Sequence, residues 1–282
     1  MIDALLNFDF MRYSFICGML IGILAPLIGT FIVVRRLSLI ADALSHVTLG
    51  GISFGMLAAK WLAPVVISPI WFGILFSVTG ALLIERLRSV YKHYQELSIP
   101  IIMSLGIGLS VIFISLADGF NQDLFGYLFG SISAVTLMDL ITILIIFILV
   151  ISFIVLLYKE LFVLSFDEEY AQITGVPRFL HILFMLMVAL VISASMRVVG
   201  ILLVSSLITL PVASAMRFAR GYKELMLWSV IFGELSVILG LILAFYMDIS
   251  PGGVIVLLLI LILISAIYYQ KKREQGGLAD EN

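Results

Sequence analysis

Charged residues are scarce in this 282-residue chain: they make up 12% of the sequence, whereas 63% of the residues are hydrophobic. A soluble globular protein has about 25% charged and about 45–50% apolar residues, so this chain has too few charges to cover a soluble surface. The mean hydropathy of +1.24 agrees with that conclusion. The composition therefore excludes an ordinary soluble enzyme and a disordered chain, and it predicts a polytopic membrane protein. The formal net charge of −2 gives no basic surface for nucleic acid.

Several chemical motifs are also absent from the sequence. Cys17 is the only cysteine, which excludes a disulfide framework and a cysteine metal cluster. No Gly-x4-Gly-Lys-Ser/Thr loop occurs, so the chain has no ATP site of that type. Neither a His-Glu-x-x-His zinc protease motif nor a Gly-x-Ser-x-Gly nucleophile elbow is present. Because no catalytic constellation remains, we expect a protein that is not an enzyme.

Nine continuous apolar runs approach the roughly 20 residues that a membrane-spanning helix needs. They cover about 13–34, 38–59, 64–84, 98–117, 134–157, 179–196, 198–216, 225–246 and 252–270. The sixth and seventh runs meet at Arg197 with almost no loop, so the sequence predicts eight or nine transmembrane helices. We expect one transmembrane domain over residues 1–273, followed by a short polar tail over 274–282.

The positive charges predict how the chain is oriented in the membrane. All of the 16 lysines and arginines except Arg12, Lys60 and Arg197 fall on one side when the spans alternate. The positive-inside rule then places the C-terminus in the cytoplasm and the N-terminus outside. The first residues carry Asp3 and no basic segment, so no cleavable signal peptide is expected.

Asp42 and His46 lie inside an apolar run, where an ionisable side chain is costly and suggests a function. They are four residues apart, so a helix places both side chains on one face. A carboxylate and an imidazole suit a divalent metal of the zinc or manganese kind, although an Asp–His pair that only braces the helix would also fit. Two copies of the chain around a two-fold axis would supply four such ligands.

Two further ionisable residues lie within the apolar runs. Glu234 is in the middle of a span, where its carboxyl could be protonated, be paired with Ser236 or face a cavity. We therefore name Glu234 as a possible pathway residue. Arg197 is interpreted as marking a short outer turn between two spans.

A polar segment at about 159–178 follows the fifth span. Ser165, with Glu168 three residues later, predicts a capping box at the start of a short helix. Gly175 then ends the helix, and Pro177 prevents its return. A short, capped, amphipathic helix suits docking into a groove on a cytoplasmic partner, although a connector lying on the membrane surface would have the same features.

These residues resemble the membrane permease subunit of bacterial ABC importers for zinc and manganese. The segment from Arg35 to His46 reads Arg-Arg-Leu-Ser-Leu-Ile-Ala-Asp-Ala-Leu-Ser-His. It is close to the family's Arg-Arg-x-Ser-x-x-Gly-Asp-Ala-x-Ser-His, with Ala41 in place of the usual glycine. Further matches follow in the right order along nearly the whole chain, at Asp167–Gly175, at Val199–Ser205 with Pro211, and at Tyr246–Gly253.

The resemblance implies an all-α, type II ABC importer permease fold in the bacterial cytoplasmic membrane. It implies two copies of the permease around the pathway, two cytoplasmic subunits that bind ATP, and an extracytoplasmic metal-binding protein. It implies no permanently bound cofactor, only a transported Zn or Mn ion. Asp42 and His46 match the polar pair of the family's second helix. The family's coupling segment, which docks on the ATPase, is matched by Asp167, Glu168, Glu169, Ala171 and Gly175.

The identity of the metal is predicted from the residues after the pair. Manganese permeases tend to continue the motif with Val-Leu-Pro-Gly after Ser-His-Ala, whereas this chain reads His46-Val-Thr-Leu-Gly-Gly. That difference favours zinc, and four ligands with two imidazoles also suit tetrahedral zinc. Manganese or iron import by the same machine is the alternative. A permease for a chelated metal is less favoured because such chains are longer. An ion-driven carrier without an ATPase is disfavoured because no convincing inverted repeat occurs.

Overall fold

The computed structural model describes residues 7–61, 68–117, 119, 122–177 and 179–279. Within those ranges the chain forms twelve α-helices and no β-strand, which confirms the all-α prediction. In chain order the helices are α1 (Asp9–Val34), α2 (Leu39–Trp61), α3 (Pro69–Val90), α4 (Ser98–Leu116), α5 (Gln122–Phe129), α6 (Leu137–Leu156), α7 (Tyr158–Phe166), α8 (Glu168–Ile173), α9 (Phe179–Val199), α10 (Ile201–Ala215), α11 (Tyr222–Met247) and α12 (Pro251–Ala279).

Eight of the described helices are long and apolar enough to cross a membrane, namely α1 to α4, α6, α9, α11 and α12. The helix α10 is shorter, with 15 residues. It nevertheless runs alongside the spanning part of α12. A Cβ added to Gly252 would collide with the Val199 carbonyl just before α10, and the Arg217 side chain beyond its other end donates to Gln270 at 3.4 Å. The predicted count of eight or nine helices thus corresponds to eight long helices and one short one.

Three helices form the centre of the bundle. In the most apolar windows of α1, α2 and α9, 67%, 72% and 72% of the residues are buried, whereas the corresponding fraction is 28–33% for α3, α4, α6, α11 and α12. Buried aliphatic residues of the central helices join the inner faces of the outer ones in one hydrophobic core. The outer helices expose Leu, Ile and Val side chains, as expected of helices that face lipid.

The two ends of the bundle differ in charge. At one end, which we call the basic end, Arg35 and Arg36 after α1 line a pocket together with Arg88 of α3 and Ser165 of α7. Lys223, at the start of α11, lies at this end as well, over the ring of Tyr158. We call the other end the opposite end. The charge separation has the pattern that the positive-inside rule uses, while the choice of the cytoplasmic end stays a prediction.

Three glycines meet at the opposite end: Gly130 and Gly200 lie between helices, and Gly252 lies in the first turn of α12. Gly130 and Gly200 have φ angles of 79° and 89°, in the left-handed region that glycine tolerates best. A Cβ on Gly200 would lie 2.5 Å from the nitrogen of Gly130, and a Cβ on Gly252 would lie 2.9 Å from the carbonyl oxygen of Phe129. The α5–α6 connection, the α9–α10 connection and the first turn of α12 therefore pack backbone against backbone in a three-glycine junction.

Candidate functional site

Asp42 and His46 project from the same face of the central helix α2. Asp42 lies in the first turn of the helix and His46 lies one turn deeper, and both side chains are half-buried. Within the described part of the chain, neither side chain has a hydrogen bond or an ion pair. The pair therefore leaves a carboxylate and an imidazole available for a ligand, and it is not the mutually bonded brace that the sequence also allowed.

The backbone at His46 is held in place by α4. The Ser110 hydroxyl lies 3.3 Å from the His46 carbonyl oxygen and 2.7 Å from the Gly106 carbonyl oxygen, so its single O–H is shared between these two acceptors. A Cβ on Gly106 would lie 2.7 Å from the Val47 nitrogen, so the two helices cross in direct backbone contact at this point. The crossing fixes the height and rotation of the His46 side chain.

The face of α2 that carries the pair continues toward the opposite end. Leu49, Ser53 and Met56 follow His46 at intervals of three and four residues, so all of them share that face. The Ser53 hydroxyl is buried and has no hydrogen-bond partner, unlike most serines in these helices, which donate to the carbonyl four residues earlier. Met56 lines a cavity of about 370 Å³ at the opposite end, roughly 15 Å along the helix axis from His46.

Arg197 lines the same cavity, together with Asp123 and Tyr127. Its guanidinium donates to the Ala134 carbonyl oxygen at 2.8 Å, lies 3.6 Å from a carboxylate oxygen of Asp139, and stands 4.8 Å from the centre of the Tyr127 ring. Arg197 lies in the last turn of α9, and the break between α9 and α10 follows at Gly200, as the predicted short turn requires. That this turn lies on the outer side of the membrane stays a prediction. The sequence did not reveal its partner Asp139, which lies 58 positions away.

Glu234 lies apart from the Asp42–His46 pair. It packs against Gly22, so it faces α1, and α2 packs mainly on α3, α4, α9 and α10. Both carboxyl oxygens of Glu234 are buried and have no hydrogen-bond partner. The pairing with Ser236 is not formed, because that hydroxyl donates to the Phe232 carbonyl oxygen at 2.7 Å.

The ligand set of one chain is small. Among the described residues, no group of three or more His, Cys, Asp or Glu side chains lies close enough to hold a metal ion. A metal ion held by Asp42 and His46 would have two ligands from one chain, and the remaining positions in its coordination shell would have to come from water or from another molecule.

The predicted coupling segment forms two short helices at the basic end. Asp167 caps the second one, α8, because its carboxylate accepts a hydrogen bond from the Tyr170 nitrogen at 2.9 Å. The predicted capping role of Ser165 is wrong: Ser165 belongs to α7, and its hydroxyl donates to the Leu161 carbonyl oxygen at 2.7 Å. The side chains of Glu168 and Glu169 lie outside the described residues, as does Arg178.

The end of α8 agrees with the sequence-based expectation. Gly175 has a φ of 88°, and the Val176 nitrogen donates to the Ala171 carbonyl oxygen at 2.9 Å, which closes the turn. Ala171 is fully buried. Asp167 thus caps the helix and Gly175 ends it, while Ala171 is the buried side chain between them.

An aromatic cluster anchors the preceding helix α7 to the transmembrane bundle. The ring of Tyr222, at the start of α11, lies 5.1 Å from that of Phe162 and 5.9 Å from that of Phe166. On its other side Tyr222 lies 5.5 Å from the ring of Phe31 in α1. We call these four residues together with Tyr158 the Tyr222 cluster.

A polar network that sequence reasoning missed ties α3 to α9 near the same end. The buried His181 lies between Glu85, whose carboxylate is 2.9 Å from Nδ1, and Arg88, whose guanidinium is 2.9 Å from Nε2. Arg88 also donates to the Gln95 side chain at 2.9 Å. The network fixes the position of α3 relative to α9 beside the pocket that Arg35 and Arg36 line.

Comparisons with known proteins agree with this architecture. A model of the ABC 3 transport family matches residues 7–270. The chain is 35% identical over 251 residues to a "Probable metal transport system membrane protein" of Treponema pallidum, covering 88% of this chain and 91% of that protein. It is 34% identical over 255 residues to "Manganese import system permease protein ScaB" of Streptococcus parasanguinis, covering 90% and 88%. Its structure is similar to one of PsaBC from Streptococcus pneumoniae in complex with Fab, with a TM-score of 0.81, 29% identity and coverage of 94% and 93%.

Proposed function

The chain belongs to the ABC 3 transport family, and from this membership we propose that it is the membrane permease of an ATP-driven importer for a divalent transition metal. The observation that carries the proposal is the unpaired, half-buried combination of Asp42 and His46 inside a central helix. A carboxylate and an imidazole there are costly unless they serve the pathway, and their oxygen and nitrogen donors suit such an ion.

Two copies of the chain form the pathway in this proposal. One chain offers two ligands, and a two-fold axis beside α2 doubles them to two carboxylates and two imidazoles. Such a set holds an ion while it passes and releases it when the helices move apart. The ion reaches the pair from the cavity at the opposite end, along the face that carries Ser53 and Met56.

Two ions are candidates for the cargo. Manganese is favoured by the name of the similar protein ScaB of Streptococcus parasanguinis. Zinc is favoured by the residues after His46, which read Val-Thr-Leu-Gly-Gly and lack the proline expected in a manganese permease. We propose manganese as the first candidate, because the relative that is named for manganese import is a whole protein of similar length. Zinc is the second candidate.

ATP is bound and hydrolysed on partner subunits in the cytoplasm. The segment Asp167–Gly175 is proposed to dock on that ATPase, since it forms a capped helix at the basic end whose Tyr170 and Ile173 side chains are exposed. Closure of the ATPase pair would move α8, and α7 would transmit the movement to the bundle through the Tyr222 cluster. The bundle then alternates between two states, in which the ion pathway is open toward opposite sides of the membrane.

The orientation follows from the same assignment. The basic end faces the cytoplasm, the C-terminal tail 274–282 lies there, and the N-terminus lies outside. The transmembrane domain over 1–273 presents its opposite end to an extracytoplasmic binding protein that delivers the metal. The cavity lined by Asp123 and Met56 lies at that end and is the proposed point of entry.

The role of Glu234 is proposed from its surroundings. A buried carboxyl with no partner is stable in a membrane only when it is protonated or holds a cation. Because Glu234 lies between α1 and α11, away from Asp42 and His46, we propose a neutral side chain that fills the contact with Gly22. Its direct participation in the pathway is the alternative, and uptake by Glu234→Gln distinguishes the two.

The proposed function is tested by uptake of radioactive manganese and zinc into cells that carry the complete transporter. We expect His46→Ala and Asp42→Asn each to lower uptake by about tenfold or more, because each removes a ligand from the ion. His93→Ala is the matched control, since His93 is exposed in the loop after α3, and we expect it to transport like the wild type.

The competing ion identifies the cargo. Manganese uptake that persists in excess zinc would support the first candidate, and the reverse would support the second. Normal uptake of both ions by His46→Ala and Asp42→Asn, in transporter present at wild-type levels, would refute the metal role of the pair.

A further inference from the structure

A groove of about 560 Å³ opens on the side of the bundle between α1, α6 and α11. Its walls are aliphatic along most of its length, with Leu27 from α1, Ile151 and Val155 from α6, and Leu227 and Val230 from α11. Leu227 and Val155 are exposed, so the groove is open toward the space that the membrane fills. No part of the proposed metal pathway uses this groove.

The groove ends in a cationic mouth at the basic end of the bundle. Lys223 and Tyr158 line it there, and the Lys223 ammonium lies 5.9 Å from the centre of the Tyr158 ring. The ammonium is exposed and makes no ion pair within the described part of the chain. The neighbouring acid, Glu224, instead accepts a hydrogen bond from the Arg220 nitrogen at 2.9 Å. The mouth therefore presents an ammonium that no carboxylate of the described residues pairs with.

The shape and chemistry of the groove select an amphiphile. From Lys223 to Val230 the groove runs about 10 Å along α11, starting at the end of the bundle where the headgroups of a bilayer lie. Its aliphatic walls provide no hydrogen-bond partners for the backbone of a peptide or for a polar solute. A ligand with an apolar chain and an anionic head satisfies both parts of the site, because the cation at the mouth complements that head.

We propose that an anionic phospholipid occupies this groove, with one acyl chain along the aliphatic walls and its phosphate on the Lys223 ammonium and the Tyr158 hydroxyl. Tyr158 also belongs to the Tyr222 cluster, 6.4 Å from the Tyr222 ring, so the lipid would steady the start of α7. This last consequence rests on the proposed coupling role of α7 and α8. The binding itself does not depend on that role.

The test measures lipid retained by the purified, intact transporter, using native mass spectrometry. The complex is exchanged into detergent containing phosphatidylglycerol or phosphatidylcholine with identical acyl chains. We expect the wild type to retain phosphatidylglycerol preferentially, and Lys223→Gln to lower that retention about fivefold, as loss of one lysine near a headgroup does. Lys272→Gln, an exposed lysine at the same end but outside the groove, is the matched control and should leave retention unchanged.

A second variant tests the apolar part of the site. Val230→Trp fills the groove, so it should abolish retention of both lipids, while metal-stimulated ATP hydrolysis shows that the complex is still assembled. Equal retention of the two lipids by the wild type, or equal losses in Lys223→Gln and Lys272→Gln, would overturn the proposal. Because the readout is bound lipid, these outcomes are distinct from a failure of the proposed metal import.

Discussion

At the scale of single residues, the position of the His46 side chain depends on a glycine in another helix. Gly106→Ala would add a Cβ 2.7 Å from the Val47 nitrogen and 2.9 Å from the His46 carbonyl carbon, so α4 would have to move away from α2. We expect a loss of stability of about 1–3 kcal/mol, typical of overpacking, and a clear loss of metal uptake. Thermal unfolding and uptake of radioactive metal measure the two effects.

Gly108→Ala provides the matched control for that prediction. Gly108 lies in the same helix, and a Cβ there would meet nothing within 4 Å. We expect uptake to be unchanged and stability to be equal or slightly higher, since alanine favours a helix over glycine by about 0.5–1 kcal/mol. Equal losses in the two variants would show that the backbone contact at His46 is not what positions the site.

Glu234→Gln separates a neutral packing residue from an ion ligand. The amide keeps the size and polarity of a protonated carboxyl but cannot carry a negative charge. We expect metal uptake within about twofold of the wild type, because the variant leaves the contact with Gly22 intact. Uptake as low as that of Asp42→Asn would contradict this expectation and place Glu234 on the pathway.

The sequence allowed the ionisable residues of the spans to be predicted but not their partners. Asp42 and His46 were identifiable because charged and imidazole side chains stand out in an apolar run, and their spacing of four places them on one face. The hydrogen bond from Ser110 to the His46 carbonyl oxygen joins residues 64 positions apart, and it depends on how α2 and α4 cross. Local spacing contains no information about such a crossing.

At the scale of helices, the Tyr222 cluster makes α7 part of the transmembrane bundle. Tyr222→Ala removes the ring that contacts Phe162, Phe166 and Phe31, so α7 loses the aromatic contacts that join it to α1 and α11. We expect the number of ATP molecules hydrolysed per metal ion imported to rise several-fold, while the amount of assembled complex stays the same. Reconstituted vesicles allow both quantities to be measured on one preparation.

Tyr222→Phe is the control for the cluster. The buried Tyr222 hydroxyl lies beside the hydroxyls of Ser165 and Thr30, and both of these donate to main-chain carbonyl oxygens of their own helices. The variant therefore keeps every ring contact and leaves no donor without an acceptor. The ratio of hydrolysis to import should therefore equal that of the wild type. A wild-type ratio in Tyr222→Ala would exclude the cluster from coupling.

The start of α8 gives a second prediction at this scale. Asp167→Ala removes the side chain that caps the helix, which typically costs about 1 kcal/mol. We expect faster amide hydrogen exchange throughout α8 in Asp167→Ala. Ser165→Ala should leave exchange in α8 unchanged, because the Ser165 hydroxyl bonds within α7. Faster exchange in Ser165→Ala alone would reinstate the capping box that the sequence suggested.

The existence of a capped helix could be predicted, but the identity of the capping residue could not. Ser165 and Asp167 are both good capping residues, and the choice depends on where the preceding helix ends. The helix α7 continues through Phe166, packed on Tyr222, so Ser165 is inside it. The end of α7 is therefore set by the packing of Phe166 on Tyr222, which the local sequence does not reveal.

At the scale of the whole molecule, the separation of charge predicts the orientation. Cys17, the single cysteine of the chain, is fully buried. Cys17→Ser removes it, so that a cysteine introduced elsewhere is the only thiol that a reagent can label. We expect an impermeant thiol reagent to label Ser133→Cys, at the opposite end, in intact cells, and His93→Cys, at the basic end, only after permeabilisation. Labelling of both positions in the reverse order would invert the proposed topology.

The class of the fold and the number of spans followed from composition and run length, because a bilayer imposes both constraints directly on the sequence. The arrangement of the helices did not follow. The helices α1, α2 and α9 are central while α6, with a mean hydropathy of 3.1 in its window, is peripheral. Lipid and a protein core are both apolar, so hydropathy cannot distinguish a helix that faces one from a helix that faces the other.

The three-glycine junction restricts which mutations can be rescued. Every other amino acid carries a Cβ, and at Gly130, Gly200 and Gly252 that atom would press on main-chain atoms of a neighbouring segment. A compensating mutation elsewhere can shorten a side chain, but it cannot remove a carbonyl group. Suppressor screens started from Gly200→Ala should therefore yield true revertants of the same codon rather than second-site changes. Almost no other amino acid should be tolerated at these three positions.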